Sequence, residues 1–234
     1  MIATKSPVGV SNLQIMRALL AKDWRLFRLP MIGLLVVAAI CYGLSGVAAL
    51  ARHSDKLPSQ DALFPASIFA AILTALVASA FGGVAIAGER SDRTADFLAL
   101  LPVTRRQIIF SKLLVGGLAV GTWETVHVAV GLAVLVQAHG GCVYPQGYWA
   151  QALGWLIGCT VSFFGVAWLL STFTTSAAIS ACVSLAIPLG TTLLIDLNVD
   201  GRWSVPAITG STMLPVGLAS LIAGTIYYLR RVAP

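Results

Sequence analysis

An all-α integral membrane protein with six transmembrane helices is what this sequence predicts, on three observations. The 234 residues are 58% hydrophobic and only 10% charged, whereas soluble domains carry about 25% charged residues. Six apolar runs are each long enough to cross a bilayer core, which takes roughly 20 helical residues. Basic residues gather on alternate connections between these runs, as an even number of spans requires when positive charge stays inside. Nearly the whole chain goes into the runs, which leaves no length for a separate soluble catalytic domain.

Residues 1–30 read as a cytoplasmic N-terminus containing an amphipathic interfacial helix, Ser11 to Phe27. Ser11-x-x-Gln14 has the form of a capping box, which satisfies orphan amides at a helix start. At about 100° per residue, Leu13, Ile15, Met16, Leu19, Leu20, Trp24, Leu26 and Phe27 fill one half of the wheel, and Arg17, Lys22, Arg25 and Arg28 the other. Such a helix lies in the plane of the interface with its basic face toward headgroups. Asp23 falls inside the apolar arc, so it needs a cationic or amide partner.

Residues 31–234 then form the transmembrane domain, with spans at Met31–Ala51, Leu63–Ala87, Leu113–Gln137, Ala150–Ser171, Ala177–Ile195 and Met213–Leu229. In lipid these must be helices, because an open sheet would leave backbone groups unpaired. The alternating pattern of a membrane barrel is absent. No cleavable signal peptide is expected. The first run starts only about 30 residues in and exceeds the usual signal core, and the Ala49-Leu50-Ala51 triplet follows a run long enough to span. Between spans five and six, residues 196–212 are too polar to cross, and Pro206 and Pro215 would break a helix there. That stretch reads as a short interfacial or re-entrant element on the outer side.

Orientation follows from the basic residues. Lys5, Arg17, Lys22, Arg25 and Arg28 precede span one; Arg90, Arg93, Arg105, Arg106 and Lys112 follow span two; Arg230 and Arg231 end the chain. The other side has Arg52, Lys56 and Arg202, so the balance is 12 against 3 and covers all 15. Both termini are therefore expected in the cytoplasm of a multi-pass protein of the bacterial inner or plasma membrane. The net charge of +6 does not point to nucleic acid, because the charges sit between apolar runs rather than on one soluble face.

The most charged connection, residues 88–112, reads GERSDRTADFLALLPVTRRQIIFSK. Ser91 or Asp92 could cap a short helix through Phe97, Leu98 and Leu101, and Pro102 ends it. Thr104-x-x-Gln107 is a second capping box, opening the helix that becomes span three. Two readings of the apolar middle stand on physics alone. It lies on the membrane surface, or Phe97, Leu98 and Leu101 form a knob for a groove on a soluble partner.

A Gly-Glu pair ending span two, the stretch RTADFLALLPVTRRQIIFSK and the basic helix LLAKDWRLFR before span one together resemble ABC-2 type permeases, the membrane subunits of ABC exporters. The likeness is strongest from Leu13 to Lys112. It implies that the loop after span two is a cytoplasmic coupling helix contacting an ABC ATPase subunit, with Arg93, Phe97, Leu98, Leu101, Arg105 and Arg106 as the contact residues. The helix before span one would be the connecting helix, and residues 196–212 the extracellular re-entrant region. No G-x-x-x-x-G-K-[ST] pattern occurs, so this chain holds no cofactor of its own. ATP and Mg would be bound by the partner ATPase, and a second permease chain, identical or not, would complete the route.

Glu124 and His127 fall near the middle of span three and on one helix face. A charge at that depth costs about 2.5–3.5 kcal/mol on insertion scales, so the pair either lines the translocation route or locks helix packing. Trp123-Glu124-Thr125-Val126-His127 is one histidine short of H-E-x-x-H, and no G-x-S-x-G elbow is present. Cys41, Cys142, Cys159 and Cys182 are too far apart for a zinc site and read as small apolar filler. The alternatives to transport are an intramembrane enzyme and a membrane scaffold or sensor. Co-purification with an ATP-hydrolysing subunit separates both from a permease, and no residue pattern selects a substrate.

Overall fold

The computed structural model describes residues 12–51, 58–91, 103–137, 146–198 and 205–231. Six helices account for nearly all of them: α1 Asn12–Ala51, α2 Pro58–Ser91, α3 Arg105–Gln137, α4 Gln146–Ser171, α5 Ala177–Asn198 and α6 Val205–Arg231. Each contains a stretch long and apolar enough to cross a bilayer, and among the described residues there is no strand. The six expected spans are all present.

Two helices form the centre. In their spans 56% of α2 and 61% of α4 is buried, against 28% or less in each of the others. α2 packs on α1, α3, α4 and α5, and α4 packs most heavily on α6. The main core gathers Phe27, Phe81, Phe164, Trp168 and Tyr228, with Phe27 stacked on Phe81 at 5.3 Å between ring centres. The outer helices instead turn large apolar side chains outward, Leu29, Leu44, Leu194, Leu197 and Ile222 among them. Such a surface suits hydrocarbon, where no hydrophobic effect drives these side chains inward.

Without that drive, helix association depends on close packing. Between α4 and α6 it is achieved with glycine. A Cβ on Gly158 would meet the Gly210 carbonyl oxygen at 2.8 Å, one on Gly217 the Val161 carbonyl oxygen at 2.5 Å, and one on Gly165 the Gly217 carbonyl oxygen. The glycines of α6 recur every seven residues, at Gly210, Gly217 and Gly224, and so lie along one seam. Buried hydroxyls bond back to their own helices, as in Thr74 to the Ala70 carbonyl (2.9 Å) and Ser171 to the Trp168 carbonyl (2.7 Å). That is how a polar side chain is satisfied where water is absent.

Three sequence expectations need correction or cannot be placed. The amphipathic stretch before span one is not a separate element. It forms the first turns of the 40-residue α1, which runs on through Pro30. Proline removes one amide donor and tends to kink a helix, but it does not end this one. The apolar arc of those turns packs inward through Leu19, Asp23 and Phe27, leaving Leu13 and Trp24 exposed. Of residues 196–212, 196–198 close α5 and 205–212 open α6, and the stretch between them, where an outer element would turn, lies outside the described residues. Pro206 sits in the first turn of α6, where the missing amide has no intrahelical partner to lose, and α6 continues through Pro215. The proposed coupling helix between Ser91 and Pro102 lies outside the described residues.

Candidate functional site

The start of α1, the last turn of α2, the start of α3 and the last turn of α6 meet at one end of the bundle. Lys22 and Asp23 come from α1, Glu89 from α2 and Lys112 from α3. Lys112 Nζ lies 2.9 Å from Glu89 Oε1 and 3.4 Å from Asp23 Oδ1. Lys22 Nζ pairs with the same Glu89 oxygen and lies 3.5 Å from Asp23 Oδ1. Ser111 donates a further hydrogen bond to Asp23 Oδ2. The Asp23 and Lys112 side chains are fully buried, Glu89 is 4% exposed and only Lys22 reaches outward, at 32%. Two cations and two anions sum to zero, which is the condition for leaving charge in so dry a place.

Two arginines extend the junction. Arg90 donates to the Thr172 carbonyl at 2.7 Å, satisfying a backbone group that α4 leaves open at its end. Arg105 donates to the Leu229 carbonyl of α6 at 3.4 Å. The capping box at the start of α3 forms reciprocally: the Thr104 amide donates to Gln107 Oε1 (2.9 Å) and the Gln107 amide to Thr104 Oγ1 (3.3 Å). Residues 92–102 are thus flanked by two anchored helix ends. Of the six residues assigned to partner binding, Arg93, Phe97, Leu98 and Leu101 lie outside the described residues. Arg105 is half-buried against α6, and Arg106 is exposed.

Asp23 in its apolar arc needs a cationic or amide partner, and the partners it finds are the cations Lys112 and Lys22. The full four-charge network was not foreseen. Its signal was present in the sequence, since Asp23, Glu89 and Lys112 each interrupt an apolar helix face. Which of them meet depends on the packing of three helices, which no local pattern encodes.

Midway along α3, Glu124 and His127 are both buried, yet no hydrogen bond joins them. His127 Nδ1 is 2.9 Å from the Tyr42 hydroxyl of α1, and the ring stacks on Trp123 at 5.7 Å. Its Nε2 has no partner among the described residues. Both carboxylate oxygens of Glu124 are likewise without a hydrogen bond. Thr160 sits beside the carboxylate, but its hydroxyl proton goes to the Leu156 carbonyl at 2.9 Å. The two side chains also face different spaces. His127 borders a pocket of about 20 Å³ toward α2 and α4, room for a single water. Glu124 lies at the floor of a cleft of about 550 Å³ between α3, α4 and α6, whose rim includes Gly121, Thr125, Ile157 and Leu218, all exposed. No group of three His, Cys, Asp or Glu that could hold a metal occurs among the described residues.

Residues 10–208 match a family model described as ABC-2 family transporter protein. No curated protein and no solved structure matches the chain.

Proposed function

From the premise that this chain belongs to the ABC-2 transporter family, we propose that it is the permease subunit of an ATP-driven exporter. A separate ATPase subunit supplies the energy, and a second permease chain completes the translocation route. The family match over residues 10–208 carries this reading. The geometry supports it through the anchored helix ends on either side of residues 92–102. A segment rooted in Ser91 and in the capped start of α3 is well placed to pass a partner's motion into two spanning helices at once.

Association with the ATPase tests the assignment. Phe97 and Leu98 are the apolar anchors of this loop, and the rim arginines steer the encounter more than they bind. Truncating a central aromatic anchor costs about 2 kcal/mol, roughly thirtyfold in affinity. Phe97→Ala is therefore expected to weaken co-purification with the ATPase and to uncouple hydrolysis from export, while membrane insertion is unchanged. Phe69→Ala, on an outward-facing position of α2, should leave association intact. Unaltered association and transport in both Phe97→Ala and Leu98→Ala would remove the loop from this role.

The bundle end that carries both described termini faces the cytoplasm, because 12 of the 15 basic residues lie on that side. Cys142, in the connection between α3 and α4, then faces outward. An impermeant thiol reagent applied to intact cells should label it. Labelling confined to inverted vesicles would reverse the orientation.

A further inference from the structure

We propose that the cleft between α3, α4 and α6 binds a protonated hydrophobic amine, drawn from the lipid side, with Glu124 as its counter-ion. The proposal names a substrate class for the transport reading and rests on that reading only for the direction of movement.

The cleft measures about 550 Å³, within the range of small-molecule sites at roughly 300–1,000 Å³. Its walls are almost wholly apolar, from Val120, Ile157, Phe164 and Leu221. Gly117 and Gly121 leave one wall bare, since a Cβ at either would meet nothing within 4 Å. At the floor stands a carboxyl group whose two oxygens accept no hydrogen bond. The contrast with the rest of the molecule is sharp. Asp23 and Glu89 are equally buried, and each is met by lysine. Glu124 is the anion among the described residues that burial has left without a cation from this chain.

A ligand that completes such a site carries one positive charge on an apolar body. A protonated amine brings up to three N–H donors, enough for both carboxylate oxygens once the buried side chain turns toward the cleft, and charge-assisted hydrogen bonds of this kind are the strong ones. Because the rim is exposed on the outer surface of the bundle, an amphiphile already dissolved in the bilayer reaches the floor without crossing water. A neutral alcohol of the same chain length would gain the walls but not the charge.

Binding of radiolabelled dodecylammonium and of neutral dodecanol should be compared on the full chain in nanodiscs of zwitterionic lipid, with empty nanodiscs subtracted. Dodecylammonium is expected to bind saturably, and Glu124→Gln to weaken it about tenfold or more, with dodecanol changing little. Glu124→Gln keeps the side-chain shape and removes the charge, and its thermal midpoint checks that it folds. Gly121→Phe, which fills the cleft from its open wall, should abolish dodecylammonium binding independently. The proposal is overturned by equal dodecylammonium affinity in the parent and both variants, or by no binding above empty nanodiscs. It is also overturned if Gly121→Cys cross-links to a second copy in the membrane, since that would place protein over the cleft. None of these measurements involves the ATPase. Failure here would leave the permease assignment standing, and failure of ATPase association would leave the cleft standing.

Discussion

Replacing Lys112 with methionine is expected to cost the protein most of its folded stability. The substitution keeps length and apolar bulk, so it isolates the charge. It leaves Asp23 and Glu89 buried with Lys22 as their only remaining lysine, and Lys22 is itself partly outside. Removing one partner of a buried ion pair costs about 3–5 kcal/mol, and here two buried carboxylates would be left to share one partly exposed lysine. The converse also holds: deleting a matched pair can be nearly neutral. Asp23→Asn combined with Lys112→Met restores neutrality around the surviving Lys22–Glu89 contact, and should recover most of what Lys112→Met loses. Thermal midpoints of the parent, both single variants and the double variant in one detergent give the coupling directly. Strict additivity would mean that Asp23 and Lys112 do not interact.

This network also bears on how motion could enter the bundle. Glu89 lies two residues before the end of α2, and Lys112 lies two turns into α3. Their contact ties the two helices together just where residues 92–102 leave and return, and α1 is held to both through Asp23 and Lys22. Three helices joined by buried charge move as a unit or break the network, which favours rigid transmission over local bending. The double variant is therefore the informative background for testing the proposed ATPase coupling, since it restores charge balance without the Lys112–Asp23 link.

Local chemistry was legible in the sequence and long-range pairing was not. Span length and apolarity located all six helices. The Thr104–Gln107 capping box formed as read, because both partners lie within one turn and nothing distant is needed. The need of Asp23 for a cationic or amide partner was legible from its place in an apolar arc. Its identity was not, since Lys112 is 89 residues away. Proline misled in one place. Read locally, Pro206 and Pro215 break a helix, but Pro206 falls in the first turn of α6, where no bond is lost, and in a packed bundle neighbouring contacts hold α6 through the hydrogen bond lost at Pro215. Glu124 and His127 were correctly read as buried, and their shared helix face suggested a pair. A helix face is wide enough for its residues to meet different neighbours, and here one turns to Tyr42 and the other to the cleft.

Gly217→Ala is expected to separate α4 from α6, although it adds a single methyl group. Glycine inside a helix is ordinarily a weakness, and alanine there gains up to about 1 kcal/mol in propensity. Gly190→Ala, on α5 with nothing within 4 Å of the new Cβ, should show that gain. At Gly217 the same Cβ would lie 2.5 Å from the Val161 carbonyl oxygen and 2.6 Å from Ser162 Cα and N. Those are backbone atoms of a helix, so no side-chain rotation relieves the overlap. The helices must part along the seam, and Gly158–Gly210 and Gly165–Gly217 lose their contact with it. Overpacked sites typically lose about 1–3 kcal/mol, and the absence of any yielding side chain places this one at the upper end or beyond. The sign thus reverses between two identical substitutions. A second readout follows from Cys159, buried on α4. In Gly217→Ala it should become reactive to a maleimide in detergent, and in Gly190→Ala it should stay protected. Equal thermal midpoints for the two variants, with Cys159 protected in both, would mean that α4 and α6 do not approach as closely as the glycine seam requires.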